Sequence, residues 1–317
     1  MKAIRMHEFG SADSLRMDEV EKPRAVAGEV LIKTAVAGIN YADIMLRTGN
    51  YLFTPPLPFT PGFEVAGTIE EIGEGVEGLQ TGQRVIASLQ GGGYAEYAVA
   101  SVGRVVPIPE NLDYGRATAL LVQGLTALGL LKNLQAGQTV LIHAAAGGVG
   151  SLLVQLAKHK GARVIGTASS SQKLEIVKNL GADVGINYTE SDWTARVLEA
   201  TEGKGVDLLI EMVGGTIGSR NVELLADGAT MIIFGAASGE NFQISALGLI
   251  GKNLTVRGYT LYSEKPDTLA EFTGELMSHV EAERLQIMVK EFPLAQAAEA
   301  HRAVEGRKTT GKVVLTV

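Results

Sequence analysis

Apolar positions follow two different rhythms along this chain, and the change between them divides it. Up to residue 108 they come in short runs broken by glycine and proline: Lys2–His7, Val30–Ala37, Glu64–Ile72, Arg84–Ser88, Tyr94–Val99 and Arg104–Ile108. Runs of this length with turn residues between them predict the strands of a β-barrel-like domain. The one helical segment in this part is Tyr41–Arg47, which follows Asn40, an N-cap residue type, and stops at Gly49. The proline-rich stretch Thr54–Pro61 is too apolar for a solvated linker and is predicted as a rigid loop.

Past Pro107 and Pro109 the rhythm lengthens, and a domain boundary is placed there. Arg116–Leu131 predicts a long apolar helix. Thr139–Ile142 predicts a strand buried on both faces, and Val149, Leu152, Leu153 and Leu156 then recur at helical spacing. The alternation continues with a strand at Arg163–Ala168, a helix over Ser171–Leu180 stopped by Gly181, and strands at Val206–Met212, Met231–Phe234 and Leu254–Arg257. Repeated βα units predict a right-handed, mostly parallel, doubly wound sheet, and hence an α/β fold class. After Thr260 the alternation lapses: Asp267–Val280 and Leu294–Val304 read as amphipathic helices and Lys312–Val317 as a closing strand.

The turn between the first of these strands and its helix is His143-Ala144-Ala145-Ala146-Gly147-Gly148-Val149-Gly150. It meets the G-x-G-x-x-G spacing with Ala145 in the first glycine position, then Gly147 and Gly150, and carries an extra glycine at Gly148. Strand, glycine turn and helix in that order aim free backbone N–H groups at a pyrophosphate. The plainer alternative is a tight turn whose glycines only let helix and strand approach closely. About twenty residues on, where an acid would hold the ribose 2′-OH of NAD, the chain reads Thr167-Ala168-Ser169-Ser170-Ser171-Gln172-Lys173. Hydroxyls and an ammonium without a carboxylate suit a 2′-phosphate, so NADPH is the expected nucleotide.

Composition narrows the chemistry. The 317 residues are 46% hydrophobic and 20% charged, as expected of a soluble chain long enough for two domains. A formal charge of −7 without a basic cluster argues against nucleic acid as a partner. With no cysteine there is no disulfide, no thiolate zinc site and no cysteine nucleophile. The five histidines, His7, His143, His159, His279 and His301, show no ligand spacing and are expected to be surface or packing residues. The charged N-terminus does not read as a signal peptide and no apolar run reaches spanning length, so no membrane insertion and a cytoplasmic location are expected.

Beyond these readings the chain resembles the medium-chain dehydrogenase/reductases, and within them the zinc-free quinone oxidoreductases related to zeta-crystallin. The resemblance spans the whole length and is most specific in Gly137-Gln138, Leu141, Ala145-Ala146-Gly147-Gly148, Gly150, Gln155 and Lys158. Further matches are Ala37–Asp43, Pro61–Gly67 and Gly306–Lys312. The zinc branch of that family carries a ligand histidine where this chain has Phe63, which leaves Glu64 as a structural carboxylate. The resemblance implies a GroES-like barrel from residues 1–117 and 261–317, with a Rossmann domain over 118–260 inserted in it and an active site between the two. It implies cofactor contacts at Ala146, Gly147, Gly148, Val149 and Gly150, with Ser169, Lys173 and Tyr188 around the adenosine phosphate. Arg307 would reach the cofactor from the tail, Asn40 and Thr126 would lie near the nicotinamide, and Phe234, Gly235 and Ser238 would form a second nucleotide loop. By the same resemblance Tyr51 matches a proton donor of related enoyl reductases, with a plain pocket wall as the alternative, and Asn40 joins it as a catalytic candidate. The implied activity is NADPH-dependent reduction of quinones, or else of activated alkenes such as enones, enals or enoyl thioesters. A non-enzymatic, crystallin-like role that keeps the nucleotide is the alternative from another class. A homodimer is expected, paired through the apolar edge at Leu254–Gly258.

Overall fold

The computed structural model describes residues 1–317. They form two compact units, Met1–Val122 with Ile287–Val317, and Gln123–Gln286.

The first unit begins with β1 (Lys2–Met6), β2 (Leu15–Glu19), β3 (Glu29–Ile39), α1 (Tyr41–Arg47), β4 (Glu64–Ile72), β5 (Arg84–Ser88), β6 (Tyr97–Ser101), β7 (Val105–Pro107) and α2 (Tyr114–Ala119). The second unit contains α3 (Leu125–Leu130), β8 (Thr139–Ile142), α4 (Gly148–His159), β9 (Arg163–Ala168), α5 (Ser171–Asn179), β10 (Val184–Asn187) and α6 (Trp193–Ala200). It continues with β11 (Val206–Glu211), α7 (Gly215–Ser219), β12 (Leu225–Ile233), α8 (Ala246–Gly251), β13 (Thr255–Gly258) and α9 (Pro266–Glu281). The chain then returns to the first unit with β14 (Val289–Pro293), α10 (Ala297–Glu305) and β15 (Lys312–Thr316).

In the first unit β1 and β2 pair antiparallel, and the main sheet runs β14-β15-β3-β4-β5-β7 with β6 also on β3. The tail enters this sheet through β15, whose Val313–Thr316 pair antiparallel with Ile39–Val36. Its core gathers Ile32, Ile39, Val65, Ile69, Val85, Tyr94, Val313 and Leu315. Arg47, fully buried at the end of α1, is held by Glu305 of α10, which ties the tail helix to the front of the chain. In the second unit six parallel strands stand in the order β10-β9-β8-β11-β12-β13. Val140, Leu141 and Ile142 are completely buried, as strands covered on both faces require.

The structure departs from the sequence expectations in places that share a cause. β2, β10 and β14 were not foreseen, because Leu-Arg-Met-Asp-Glu, Val-Gly-Ile-Asn and Val-Lys-Glu-Phe-Pro are too short or too polar to stand out. The helix expected over Arg116–Leu131 is α2 and α3 with a π turn at Leu120–Gly124 between them. Residues 261–286, expected with the barrel, belong to the second unit. There α9 packs on α3, burying Phe272 and Leu276, and Lys132 pairs with Glu264 at 3.6 Å. An amphipathic helix carries no mark of which sheet it serves, so that boundary falls where packing decides it.

Two buried titratable groups of the first unit oppose one another in pH. Burial pushes His301 down to about 3 from its ordinary 6.5, and its Nε2 shares a 3.0 Å hydrogen bond with the Tyr94 hydroxyl. A depressed imidazole costs stability as pH falls from 6.5 towards 3, because the unfolded chain takes up the proton first. Burial pushes Asp43 up to about 7 from 3.8, and here the sign reverses: its penalty grows as pH rises from 3.8 to 7 and is relieved on acidification. Between these limits the two slopes offset each other. We predict that Asp43→Asn, which removes one slope, loses stability between pH 6.5 and 4 more steeply than the unmodified chain, by roughly 1 kcal/mol per pH unit. Urea denaturation at several pH values measures this, and parallel profiles for the two proteins would contradict it.

Candidate functional site

A parallel sheet ordered β10-β9-β8-β11-β12-β13 reverses direction between β8 and β11, and ligands of such sheets lie at the carboxyl ends of the strands flanking that reversal. The glycine turn leaves β8 at this point. Gly147 is the N-cap of α4, in extended conformation, and no side chain caps the helix. The first-turn N–H groups of this twelve-residue helix are therefore open to an anion. A Cβ on Gly150 would overlap the Ala144 carbonyl oxygen and stand 2.8 Å from the Ala145 Cα, and one on Gly148 would overlap the Gln123 carboxamide. Gly147 has only the Ala144 oxygen nearby, at 3.2 Å, so it is the glycine with an open side. Gly148 and Gly150 thus allow the close packing of the plainer reading, and Gly147 leaves one side of the turn open.

Beneath the turn lies a network that sequence reasoning did not find. His143 is buried and bonded on both ring nitrogens, Nδ1 to Thr167 Oγ1 at 2.8 Å and Nε2 to Asn221 Oδ1 at 2.9 Å. Asn221 Nδ2 in turn donates to Glu211 Oε2, which fixes the amide orientation and makes His143 Nε2 a donor. The other oxygen of Glu211 accepts from the Gly214 N–H at 2.7 Å and from the Val213 N–H. Gly214 and Gly215 both have positive φ, 78° and 53°, a turn suited to glycine. That turn in turn holds the loop after β12: the Ala237 and Ser238 N–H groups donate to Met212 and Val213 carbonyls at 2.8 and 2.7 Å, and the Gly215 N–H to Glu240 at 3.0 Å. Glu211 thus sets the place of the loop holding Phe234, Gly235 and Ser238. The one signal in the sequence was an acid directly after the apolar run Leu208–Ile210.

At the end of β9 the expected residues converge. Tyr188 N–H donates to the Ala168 carbonyl at 3.2 Å, which sets Tyr188, 7% exposed, beside Ser169. Ser170 caps α5 by accepting from the Lys173 N–H at 3.4 Å, which fixes Lys173 in the first turn with its side chain half-buried. Ser169, Lys173 and Tyr188 therefore lie at one sheet end with no carboxylate in the stretch 167–173. Thr126 is buried in α3 of the same unit. Of the signature residues, Gln155 clasps both backbone groups of Gln286, at 2.7 and 3.1 Å, and Lys158 pairs with Asp183 at 2.9 Å, so both act structurally.

The first unit holds Asn40, Tyr51 and Arg307. Asn40 precedes α1, which is capped by the Asp43 carboxylate: one oxygen accepts from the Asn40 N–H at 2.7 Å and the other from the Gly62 N–H at 3.0 Å. The Asn40 carboxamide meets Glu64 and Lys312. Tyr51 lies half-buried on Phe63, ring centroids 5.7 Å apart, with Phe53 edge-on at 5.5 Å. Phe63 of this aromatic group directly precedes Glu64 in the chain. Leu52 and Phe53 are exposed, 79% and 46%. Arg307 stands in the loop after α10 with φ 54°. Tyr41 nearby has its phenol raised by burial and by the Glu305 charge, with Arg307 and Arg47 acting against the rise. No group of three or more His, Cys, Asp or Glu side chains is placed to hold a metal ion, and no helix is long and apolar enough to cross a membrane.

Comparison with known proteins agrees with this architecture. Residues 26–110 match the alcohol dehydrogenase GroES-like domain and residues 148–278 the zinc-binding dehydrogenase domain. The quinone oxidoreductase of Rattus norvegicus is 34% identical over 99% of this chain and 97% of its own length, and that of Homo sapiens 32% over the same shares. Among solved structures, a mycobacterial protein complexed with NADPH superposes with a TM-score of 0.94 at 35% identity, covering 100% of both chains. The quinone oxidoreductase of Escherichia coli complexed with NADPH also gives 0.94, at 30% identity over 100% of both chains. A GroES-like barrel, a doubly wound nucleotide-type sheet and full-length identity of this degree together make the chain a member of the zinc-free quinone oxidoreductase branch of the medium-chain dehydrogenase/reductase superfamily.

Proposed function

We propose that this protein is an NADPH-dependent reductase that passes hydride to quinones without a metal ion, working as a cytoplasmic homodimer. The observation that carries the reading is the uncapped glycine turn at the sheet's reversal together with an acid-free β9 end bearing Ser169, Lys173 and Tyr188. Relatives named quinone oxidoreductases and neighbours solved with NADPH support it.

Bound NADPH would supply the hydride, and the chain's residues would bind, orient and shield. The turn Ala146–Gly150 would take the pyrophosphate on backbone N–H groups, and Lys173 with Ser169 and Tyr188 the 2′-phosphate. Phe234, Gly235 and Ser238 would border the nucleotide, Thr126 and Asn40 the nicotinamide end, and Arg307 would add a cation from the tail. The ring set Tyr51, Phe53 and Phe63 suits a flat apolar acceptor. Zinc independence is supported by the absence of cysteine and by Phe63, an apolar ring where the zinc branch has a ligand. Pairing of two copies is supported by the open edge of β13 and by Leu247 and Ile250, 79% and 74% exposed on the helix leading into it.

Four expected outcomes follow. NADPH consumption should proceed with quinones and be unchanged after prolonged chelation; NADPH binding without turnover on any acceptor would overturn the enzyme reading. In the same screen Tyr51→Phe should change quinone turnover only a few-fold, since water protonates the reduced oxygens, whereas a loss of about a hundredfold on enones would make the alkene the natural acceptor. Lys173→Ala should weaken NADPH roughly tenfold or more, from loss of a charge-assisted bond of about 1.5–3 kcal/mol, and leave NADH untouched; equal weakening of both would remove Lys173 from the 2′-phosphate. Finally, the native mass should be twice the 33.4 kDa of one chain and return to one with Leu247→Asp and Ile250→Asp combined; a monomer in the unmodified protein would refute pairing.

A further inference from the structure

Glu64 and Lys312 form an ion pair buried to within 1% of complete, β4 supplying the acid and β15 the base. A buried pair of this kind is a poor source of stability, since an apolar pair of similar volume would hold the strands as well. Its geometry points elsewhere. Asn40 Nδ2 donates to Glu64 Oε1 at 2.8 Å, while Lys312 Nζ donates to Asn40 Oδ1 at 3.0 Å, to the Ile39 carbonyl at 3.2 Å and to Glu64 Oε1. Carboxylate and ammonium thus address opposite ends of one carboxamide. Turning that amide over would set its NH2 against the ammonium and its oxygen against the carboxylate. Glu64 is itself fixed, its second oxygen accepting from the Val122 N–H at 3.2 Å. Space for the pair comes from Gly38, where a Cβ would lie 2.5 Å from Glu64 Oε1 and 2.8 Å from Lys312 Cε.

We infer that Glu64 and Lys312 are positioning residues, which hold the Asn40 carboxamide in one of its two orientations at the reacting end of the site. The inference rests on the proposed place of Asn40 beside the nicotinamide. The pair touches neither acceptor nor cofactor in this account and acts only through Asn40. Because the pair and Asn40 come from β4, β15 and the start of α1, the carboxamide is oriented by three separate stretches of sequence.

The test removes both charges together, in Glu64→Gln with Lys312→Met, so that no lone charge is left buried. Melting temperature and NADPH dissociation constant should change little, while kcat with a quinone falls between about tenfold and a hundredfold. Adding Asn40→Ala to the double variant should cost nothing further, since the orientation is already lost. Gly38→Ala, which forces the pair apart without touching Asn40, should reproduce the loss. Undiminished kcat in the double variant, or losses that add when Asn40→Ala is combined with it, would overturn the inference. A readout independent of turnover is hydrogen exchange at the Asn40 side-chain amide, identified by 15N NMR through its disappearance in Asn40→Ala. It should be protected in the unmodified chain and rapid in the double variant, and equal exchange in both would refute the clamp. An Asn40→Ala that keeps full kcat would refute instead the placement of Asn40 at the reacting centre, and with it the functional half of the inference, while the exchange measurement still decides whether the pair holds the amide.

Discussion

Parallel strands cannot be joined by hairpins, and this constraint shapes the second unit before any chemistry is considered. Each strand must be followed by a crossover, so all six carboxyl ends open on one side and their loops collect there. The reversal of order at β8 and β11 keeps two neighbouring loops from lying across each other, and the chain places its glycine turn in that gap. The same geometry explains why Glu211 has its effect. An acid at the end of β11 sits among the backbone N–H groups of its own loop and, through Asn221, meets the first residue of the glycine turn from β8.

The two units satisfy their buried carboxylates by different means. Glu211 is surrounded by backbone and amide donors, which need no opposite charge and set loop conformation directly. Glu64 has a buried lysine, delivered from the far end of the sequence. Next to Phe63, a buried aromatic ring, polar order is built from amide and ion-pair contacts around Glu64.

What could be read from the sequence divides along the same physical line. Local signals were legible: the glycine turn, the helix after it, the strand Thr139–Ile142 and the acid-free end of β9 depend on neighbours in sequence and stand where they were expected. Signals that depend on partners far away were not. Asn40 offered a cap-type residue before α1, but its carboxamide partners lie 24 and 272 positions off. His143 looked like a packing residue, and only the fold reveals its bonds to Thr167 and Asn221. The strands that escaped notice, β2, β10 and β14, are edge or paired strands whose polar positions face outward, so alternation was diluted below recognition. Helix α9 could be recognised as amphipathic, yet only tertiary packing assigns it to α3.

The closing strand of the barrel also has a temporal meaning. β15 pairs with β3, whose last residue is Ile39, yet it begins only at Lys312, after the whole of the second unit has been made. At elongation rates of about 5–20 residues per second, the two are separated on the ribosome by roughly 15–55 s. During that interval the six-stranded sheet can complete itself from contiguous chain, while the open edge of β3 waits for a partner still to be synthesised. β15 therefore acts as a latch on β3, and a ribosome that stalls before Lys312 leaves that edge of the barrel unsealed.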